Sequence, residues 1–511
     1  MTPVMNGRAH KGDLTVDCDV VVVGSGASGA VIAAHLAEAG QRVIVLEEGP
    51  FIPALTHGAM RPSESLRHMW RSGAMTVMLG LGDTPAINVT MGRGVGGSSA
   101  LTGGVCFRIP EHILHRWRKE RGLSEFSEAH LEPFYADVER SVHVEEVPAH
   151  MQSLGTRRFV EGATKNGAVM EPMRRNTEGC NGCGRCNFGC PHGAKLSVDL
   201  TYLPRAAAKG AQIISDCLVH RVRMEGNRAV GVEGRLLNGP KGKAEGNLLV
   251  HAKRVVLAAG AAFTPAILRK SGVTGVSEQV GKNVTVHPGF RMIARFDEPV
   301  RGWEGALQSV FTSSYERDGL TLTGLFIPPA VLAATMPGLG PELLHRAQHV
   351  PNLAIFGGMI HDEGGGRIWP GLGREPFMTY RMSKEDRARV PHIIRVMGEA
   401  FLAAGAKEVF PPVLGAPAMD ADAFRKYPFE RVPGHLIECS SQHPLGSTRM
   451  GKTREHSVVD TMGQVWDTRG LHIADGGIIP TSLGVNPQIS IMTLATRIAF
   501  HLREQRAAGS A

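Results

Sequence analysis

Long apolar runs are missing from this chain of 511 residues. No stretch approaches the roughly 18 apolar residues that a bilayer span requires, so no segment reads as a spanning helix. Basic runs are missing too. Lys and Arg number 56 against 48 Asp and Glu, a net charge of +8, yet five basic residues never stand together. No nucleic-acid motif is present either, so nucleic acid is not an expected partner. Repeats and low-complexity linkers are absent. With 42% hydrophobic and 20% charged residues the chain is globular and not disordered. Collagen, coiled coil and a small disulfide scaffold are excluded. Met1 to Asp13 is polar, with no apolar signal core and no twin arginine. The expectation is a cytoplasmic chain, with export alongside a partner subunit as the alternative.

Glycine is what the chain has in surplus, 63 of 511 residues. Residues 18–23 read as a buried parallel strand and run directly into Gly24-Ser25-Gly26-Ala27-Ser28-Gly29. A helix is expected from Val31 to Ala39, then a second strand from Arg42 to Leu46, ending at Glu47 and Glu48. Strand, glycine loop, helix, strand and acid make a dinucleotide-binding unit. The first glycine makes the turn, the second lets backbone amides reach a pyrophosphate, and the third lets helix and strand pack. The helix N-terminus attracts the phosphates, and Glu47 would hold ribose hydroxyls.

Residues 91–105 carry a second glycine cluster, consistent with backbone pressed against a flat or anionic ligand or with a flexible loop. Strand patterns recur at Leu218–Val222, Ala229–Glu233 and Arg254–Ala259. The last runs into Gly260 and a helix from Pro265 to Ser271. Residues 291–439 change character, with short strands and the apolar stretch Leu325 to Leu332. A helix is expected from Ser383 to Ala404, capped by Ser383.

Four stretches together resemble the glucose–methanol–choline (GMC) flavoprotein oxidoreductases. They are Gly92 to Gly103; Gly260 to Pro265 with Ser271-Gly272; Gly281-Lys282-Asn283 with His287-Pro288; and Gln442 to Gly451 with Ala474-Asp475-Gly476 and Asn486-Pro487. The resemblance implies an α/β fold: a Rossmann-like FAD-binding domain interleaved with a substrate domain on an antiparallel sheet with helices. The expected division is 1–110, 196–290 and 440–511 for FAD, 111–195 for a cap segment, and 291–439 for substrate. FAD would be noncovalent, since no His stands just before the first signature. Gly24, Gly26, Ala27, Ser28 and Gly29 would cradle its pyrophosphate, with Glu47 and Glu48 at the ribose. Arg93, Gly97, Ser98, Thr102, Gly103, Gly104 and Val105 would lie along the flavin. Val219, Ala259 and Gly260 would meet the adenosine side. Asp475, Gly476, Asn486, Pro487 and Gln488 would meet the pyrophosphate, ribityl chain and ring. The family usually has Asn where this chain has Thr102, which shortens that contact.

The resemblance also implies alcohol oxidation. His443 occupies the catalytic His position and Asn486 its partner position. An Asn amide holds a substrate oxygen but does not titrate, so His443 is the sole base candidate. His287 and His361 read as structural or pocket-lining. Alternatives on this fold are an O2-dependent oxidase and, more remotely, a non-redox lyase or decarboxylase.

Four of the eight cysteines lie within eleven residues, as Cys180, Cys183, Cys186 and Cys190, followed by Pro191. The spacing C-x2-C-x2-C-x3-C is that of bacterial ferredoxins and favours an iron–sulfur cluster, [4Fe–4S] first and [3Fe–4S] second. Structural Zn2+, disulfides and free thiols compete. Some GMC members carry a cluster in a comparable segment. A cluster would relay electrons singly to a cytochrome, ferredoxin or quinone, with an accessory subunit as a further expected partner. The apolar stretch and 21 Met favour a hydrophobic alcohol over a sugar or polyol.

Overall fold

The computed structural model describes residues 3–239, 244–273, 278–325, 327–336, 340–371 and 375–509. Phe326, within the apolar stretch, lies outside them. Two sheets organise the chain. In the first, strands run in the order Val4–Asn6, Gln212–Ser215, Val43–Leu46, Leu14–Val23, Ala244–Leu257, Arg228–Leu237 and Cys217–Glu225. The first five are parallel, Arg228–Leu237 returns antiparallel to Ala244–Leu257, and Cys217–Glu225 pairs antiparallel with Arg228–Leu237. Leu471–Ile473 joins Ala244–Leu257 in parallel beyond the end of that antiparallel ladder. Val20 to Val23 are buried on both faces, as a parallel strand flanked by helices must be.

The first helix spans Ala27–Glu38, four residues earlier than the apolar pattern places it. Gly26 is its N-cap, so the glycine loop closes directly onto the first helical turn. The helix is buried from Ser28 to Ala37, sandwiched by the helices Tyr202–Ala208 and Gln488–Gly509. Gly24 sits at φ +102°, and a Cβ on Gly29 would stand 2.0 Å from the Gly24 carbonyl oxygen. Strand and helix therefore touch at backbone distance.

Among the described residues the second sheet has eleven strands and is largely antiparallel, centred on Gly289–Arg295, Leu353–Ile360 and Leu320–Gly324. Leu322, Phe356 and Ile360 point to one face and pack with Ile393 and Ile394 of the helix Lys384–Ala403. Ser383 caps that helix through the Asp386 amide, at 3.0 Å. Thr323 and Met359 point to the other face, toward a cavity. The period of two along each strand separates core from site.

Candidate active site

The glycine loop, the first signature and the strand end at Ala258–Ala259 enclose one elongated cavity. Gly24, Gly26, Ala27 and Ser28 line it, with Gly97 and Ser98 opposite. A Cβ on Gly97, at φ +55°, would lie 2.8 Å from the Gly26 Cα, so the two glycine loops are in contact. Gly260, at φ +87°, has nothing within 4 Å of a would-be Cβ and opens into the space. Val219, Ala259, Asp475 and Gly476 complete the wall. Glu47 is buried, and its Oε2 accepts from the Ser25 amide at 3.1 Å and hydroxyl at 2.6 Å. Its Oε1 accepts from the Gly49 amide at 2.9 Å, which leaves one of its lone pairs for a ribose hydroxyl. Burial pushes the Glu47 and Asp475 carboxyls up, against the hydrogen bonds they accept. A backbone cradle without side chains, with buried acceptors at both ends, fits the FAD that the sequence implies.

Some expected contacts fall elsewhere. Gly29 serves helix packing behind the cradle. Glu48 lines the cavity, but its carboxylate pairs with Arg71 at 2.5 Å and Arg93 at 3.3 Å. Arg93 is thus turned toward Glu48 and lines neither cavity. Gly104 also lines neither, and its would-be Cβ meets Asn176 Oδ1 at 2.7 Å.

A second cavity, of about 850 Å3, shares Ala27, Ser98, Ser99, His443 and Pro487 with the first. Thr102, Gly103, Val105, Asn486 and Gln488 line it. The Thr102 hydroxyl donates to Gln488 Oε1 at 2.8 Å, which takes up the reach lost with the usual Asn. Its far walls are largely apolar: Trp70, Phe188, Phe290, Leu325, Ile327 and Val331.

His443 and Asn486 stand where the cavities meet, with His443 Nε2 3.3 Å from Asn486 Nδ2. Burial pulls the His443 imidazole down to about 4, so it is neutral at ordinary pH. His287, read from sequence as structural or pocket-lining, lines the large cavity and is its neighbour: the two Nδ1 atoms are 3.3 Å apart. The amides of Leu483 and Gly484 both donate to His287 Nε2, at 3.0 and 3.1 Å. The His287 proton therefore sits on Nδ1 and faces His443 Nδ1. His443 then carries its own proton on Nε2, and turning the Asn486 amide gives that N–H the otherwise unpartnered Oδ1. Behind them Asp362 accepts from the Val286 and His287 amides and from Tyr380 Oη, at 3.0, 3.0 and 2.6 Å.

The cysteine loop packs beside this site. Gly182, Gly184 and Gly189 all take positive φ, and Gly182 accepts from the Gly305 amide at 2.8 Å. Phe188 of the loop meets Trp70, ring centres 5.9 Å apart, in the wall of the large cavity. Burial pushes the Cys183 thiol up, and Cys186, Cys190 and Cys180 act on it in the same direction. Among the described residues no three His, Cys, Asp or Glu side chains are drawn close enough to hold one metal ion. Tetrahedral Zn2+ would need its sulfurs within about 3.8 Å of one another. A multi-iron core spreads its ligands more widely.

Sequence reasoning passed over Arg175 and Lys195. They flank the cysteine run and look like surface cations, yet both are buried. Only their tertiary partners single them out.

The GMC oxidoreductase family matches this chain in its N-terminal part over residues 18–289 and its C-terminal part over residues 374–495. An uncharacterized GMC-type oxidoreductase of Mycobacterium tuberculosis is 35% identical, over 94% of this chain and 75% of that one. The long-chain-alcohol oxidase FAO4B of Arabidopsis thaliana is 28% identical, over 94% and 66%. The crystal structure of pyridoxine 4-oxidase from Mesorbium loti superposes with a TM-score of 0.72 at 19% identity, over 95% and 99%, a likeness of fold. Among the described residues no helix is long and apolar enough to cross a membrane.

Proposed function

This chain belongs to the GMC oxidoreductase family, and on that premise we propose that it oxidises a long, apolar primary alcohol. The 850 Å3 cavity carries this reading: Trp70, Phe188, Phe290, Leu325, Ile327 and Val331 give it broad apolar walls, broken by polar residues such as Gln308, Arg291 and Glu438, and His443 and Asn486 stand where it meets the first cavity. That shape suits a hydrocarbon chain whose hydroxyl is its only polar group. A sugar would leave several hydroxyls against Phe290, Leu325 and Ile327, and each one unpartnered costs about 1–3 kcal/mol. The name of the Arabidopsis relative points the same way.

FAD, when bound, accepts the hydride. His443 is the base: it takes the hydroxyl proton on Nε2 while the Asn486 amide holds the oxygen. In the present arrangement Nε2 already carries a proton, because His287 occupies Nδ1. Nε2 accepts that proton only in the other tautomer, for which the Nδ1 contact with His287 must break and the ring must give its Nε2 proton to water and take one from water at Nδ1. Burial keeps the imidazole neutral and ready for this.

The cysteine loop holds an iron–sulfur cluster in this reading, through Cys180, Cys183, Cys186 and Cys190. It would supply one-electron transfer outward to an external acceptor. Ligand spacing supports it, and so do the two buried cations facing the loop.

The test is anaerobic mixing of the flavin-loaded protein with straight-chain primary alcohols of increasing length, and with glucose and glycerol. Flavin bleaching that strengthens with chain length is expected, and bleaching by the sugar or polyol alone overturns the substrate class. Iron, acid-labile sulfide and flavin are counted on the same preparation. Flavin without iron, together with rapid O2 consumption, would leave an oxidase with a structural cysteine loop.

A further inference from the structure

The second sheet has two unlike faces at its edge. Arg367–Trp369, Phe377–Tyr380, Val77–Gly80 and Ile87–Val89 are successive neighbours there. Trp369 pairs with Phe377, Thr379 with Leu79, and Val77 with Asn88, so these six side chains share one face. The opposite face carries Ile368, Met378, Met78 and Ile87, all buried in the core. Val77 and Asn88 line the large cavity, so the shared face is part of its floor. Beyond Val77 the same face leaves the cavity and continues outward as a ledge. Val77 is 46% exposed, Leu79 45%, Phe377 47% and Trp369 39%.

Strand alternation ordinarily puts polar side chains on a solvated face. Here four large apolar ones stand in adjoining positions on three neighbouring strands, and a contiguous apolar surface of this kind marks an interaction site. The charge around it points to the partner. Arg367 is exposed on the same face, its guanidinium over the Trp369 ring at 5.6 Å. Arg381, two residues beyond Thr379, is exposed as well. The neighbouring acids are already matched: Glu375 pairs with Arg71 at 3.0 Å and Asp83 with Arg387 at 2.9 Å. An apolar ledge edged by cations suits an anionic lipid surface, where tails meet the apolar side chains and headgroups meet the guanidiniums. Trp369 is the residue type that settles at such a boundary. A two-fold contact with a second copy fits less well, because the same arginines would edge both sides while Glu375 and Asp83 are taken.

We infer that Trp369, Phe377, Leu79 and Val77 form a docking surface for an anionic lipid layer, with Arg367 and Arg381 at the headgroups. Val77 belongs both to the ledge and to the cavity, so the docked lipid meets the cavity mouth. An apolar alcohol dissolved in the lipid then passes along one continuous apolar face toward His443 without crossing water. This delivery rests on the alcohol reading above, whereas the docking rests on the ledge alone.

The experiment is cosedimentation of the flavin-loaded full chain with vesicles of phosphatidylcholine, and of phosphatidylcholine and phosphatidylglycerol in equal parts, at low and high salt. Binding that favours the anionic vesicles and weakens with salt is expected. Arg367→Gln and Arg381→Gln should lower that binding about fivefold for each cation removed. Leu79→Ser together with Phe377→Ser should lower binding to both kinds of vesicle about tenfold or more. Flavin content should match that of the wild type in every variant. Where the Leu79→Ser, Phe377→Ser protein does not retain flavin, the arginine variants decide the matter. Binding to neither vesicle, equal binding to both, or binding that none of these substitutions lowers overturns the docking. A chain that is dimeric without vesicles, and monomeric once Leu79→Ser and Phe377→Ser are introduced, overturns it in favour of a second copy. Vesicle binding as expected, with flavin that no long-chain alcohol bleaches, would uphold the docking and overturn the alcohol reading instead.

Discussion

Two buried polar clusters stand at the large cavity, and the fold treats their charge in opposite ways. Around His443, burial removes charge. His443 and His361 are pulled down to about 4 and His287 well below its usual value, while Asp362 is pushed up to about 6. Every nitrogen of the His287–His443 pair finds a partner without any ion. Around Cys186, burial instead encloses two cations whose hydrogen bonds reach no carboxylate. The histidine side is electrostatically complete as folded. The cysteine side holds its two cations against four carbonyls and the Cys186 sulfur. One cluster disfavours charge and the other encloses it.

The contrast breaks most visibly at His443. His443→Ala removes what is, among the described residues, the only imidazole at the junction of the two cavities that faces Asn486. Alcohol-driven flavin reduction should fall about 10^2–10^4-fold, the usual worth of a positioned base. Stopped-flow absorbance on flavin-loaded protein measures it, and a loss under about tenfold would move the base elsewhere.

The neutrality of the histidine side also has a signature in stability. A His with a folded value near 4 and an unfolded value near 6.5 binds fewer protons when folded between those limits. Its stabilising contribution is complete above pH 6.5 and is lost as pH falls toward 4. For His361, whose Nε2 lies 2.7 Å from the Thr321 hydroxyl, this amounts to about 3 kcal/mol. His361→Gln should flatten the fall in urea-unfolding stability between pH 6.5 and 4 by about that amount. An unchanged slope would mean that His361 is protonated in the folded protein.

The cysteine side is tested by Cys186→Ala, which takes the sulfur acceptor from Arg175. The guanidinium stays buried, so the variant should lose about 1–3 kcal/mol in urea unfolding. Cys18→Ala, at an ordinary buried thiol of the first sheet, is the reference and should lose less. Equal losses would make Cys186 a packing residue and remove the electrostatic contrast.

The backbone-limited parts of the molecule were the legible ones. Gly24 and Gly29 are readable because no Cβ fits where strand, loop and helix touch. Ser383 is readable because an N-cap acts within one turn. The family motifs extend this to His443 and Asn486, which are 43 residues apart in sequence. What escaped depends on contacts that no local pattern records. His287 meets His443 across 156 residues, and its ring nitrogens are assigned only by the amides of Leu483 and Gly484. Arg93 is expected along the flavin, and its ion pair with Glu48 at 3.3 Å is a contact that no local pattern records. The apolar stretch from Leu325 reads as one unit, yet Leu325 and Ile327 face the cavity while Pro329–Thr335 turns into a short helix. Pro329 at its first position explains the break, since proline starts helices well and continues strands poorly.

That stretch carries the finest distinction between the two sides, because the apolar walls decide which alcohol reaches the neutral pair. Leu325 lines the cavity and packs its Cβ 3.4 Å from the place a Cβ on Gly357 would take. Leu325→Trp narrows the cavity at the wall beside Gly357. Short alcohols still reach the polar pair, whereas long ones lose room for several methylenes. The ratio of kcat/KM for a long alcohol to that for a short one should fall about tenfold, within the 1–3 kcal/mol that a mismatched methylene costs in an apolar pocket. Steady-state kinetics on a chain-length series measures it. A uniform loss across the series would place the substrate chain along another wall, and no loss at all would mean that the cavity beyond Met359 takes no part in binding.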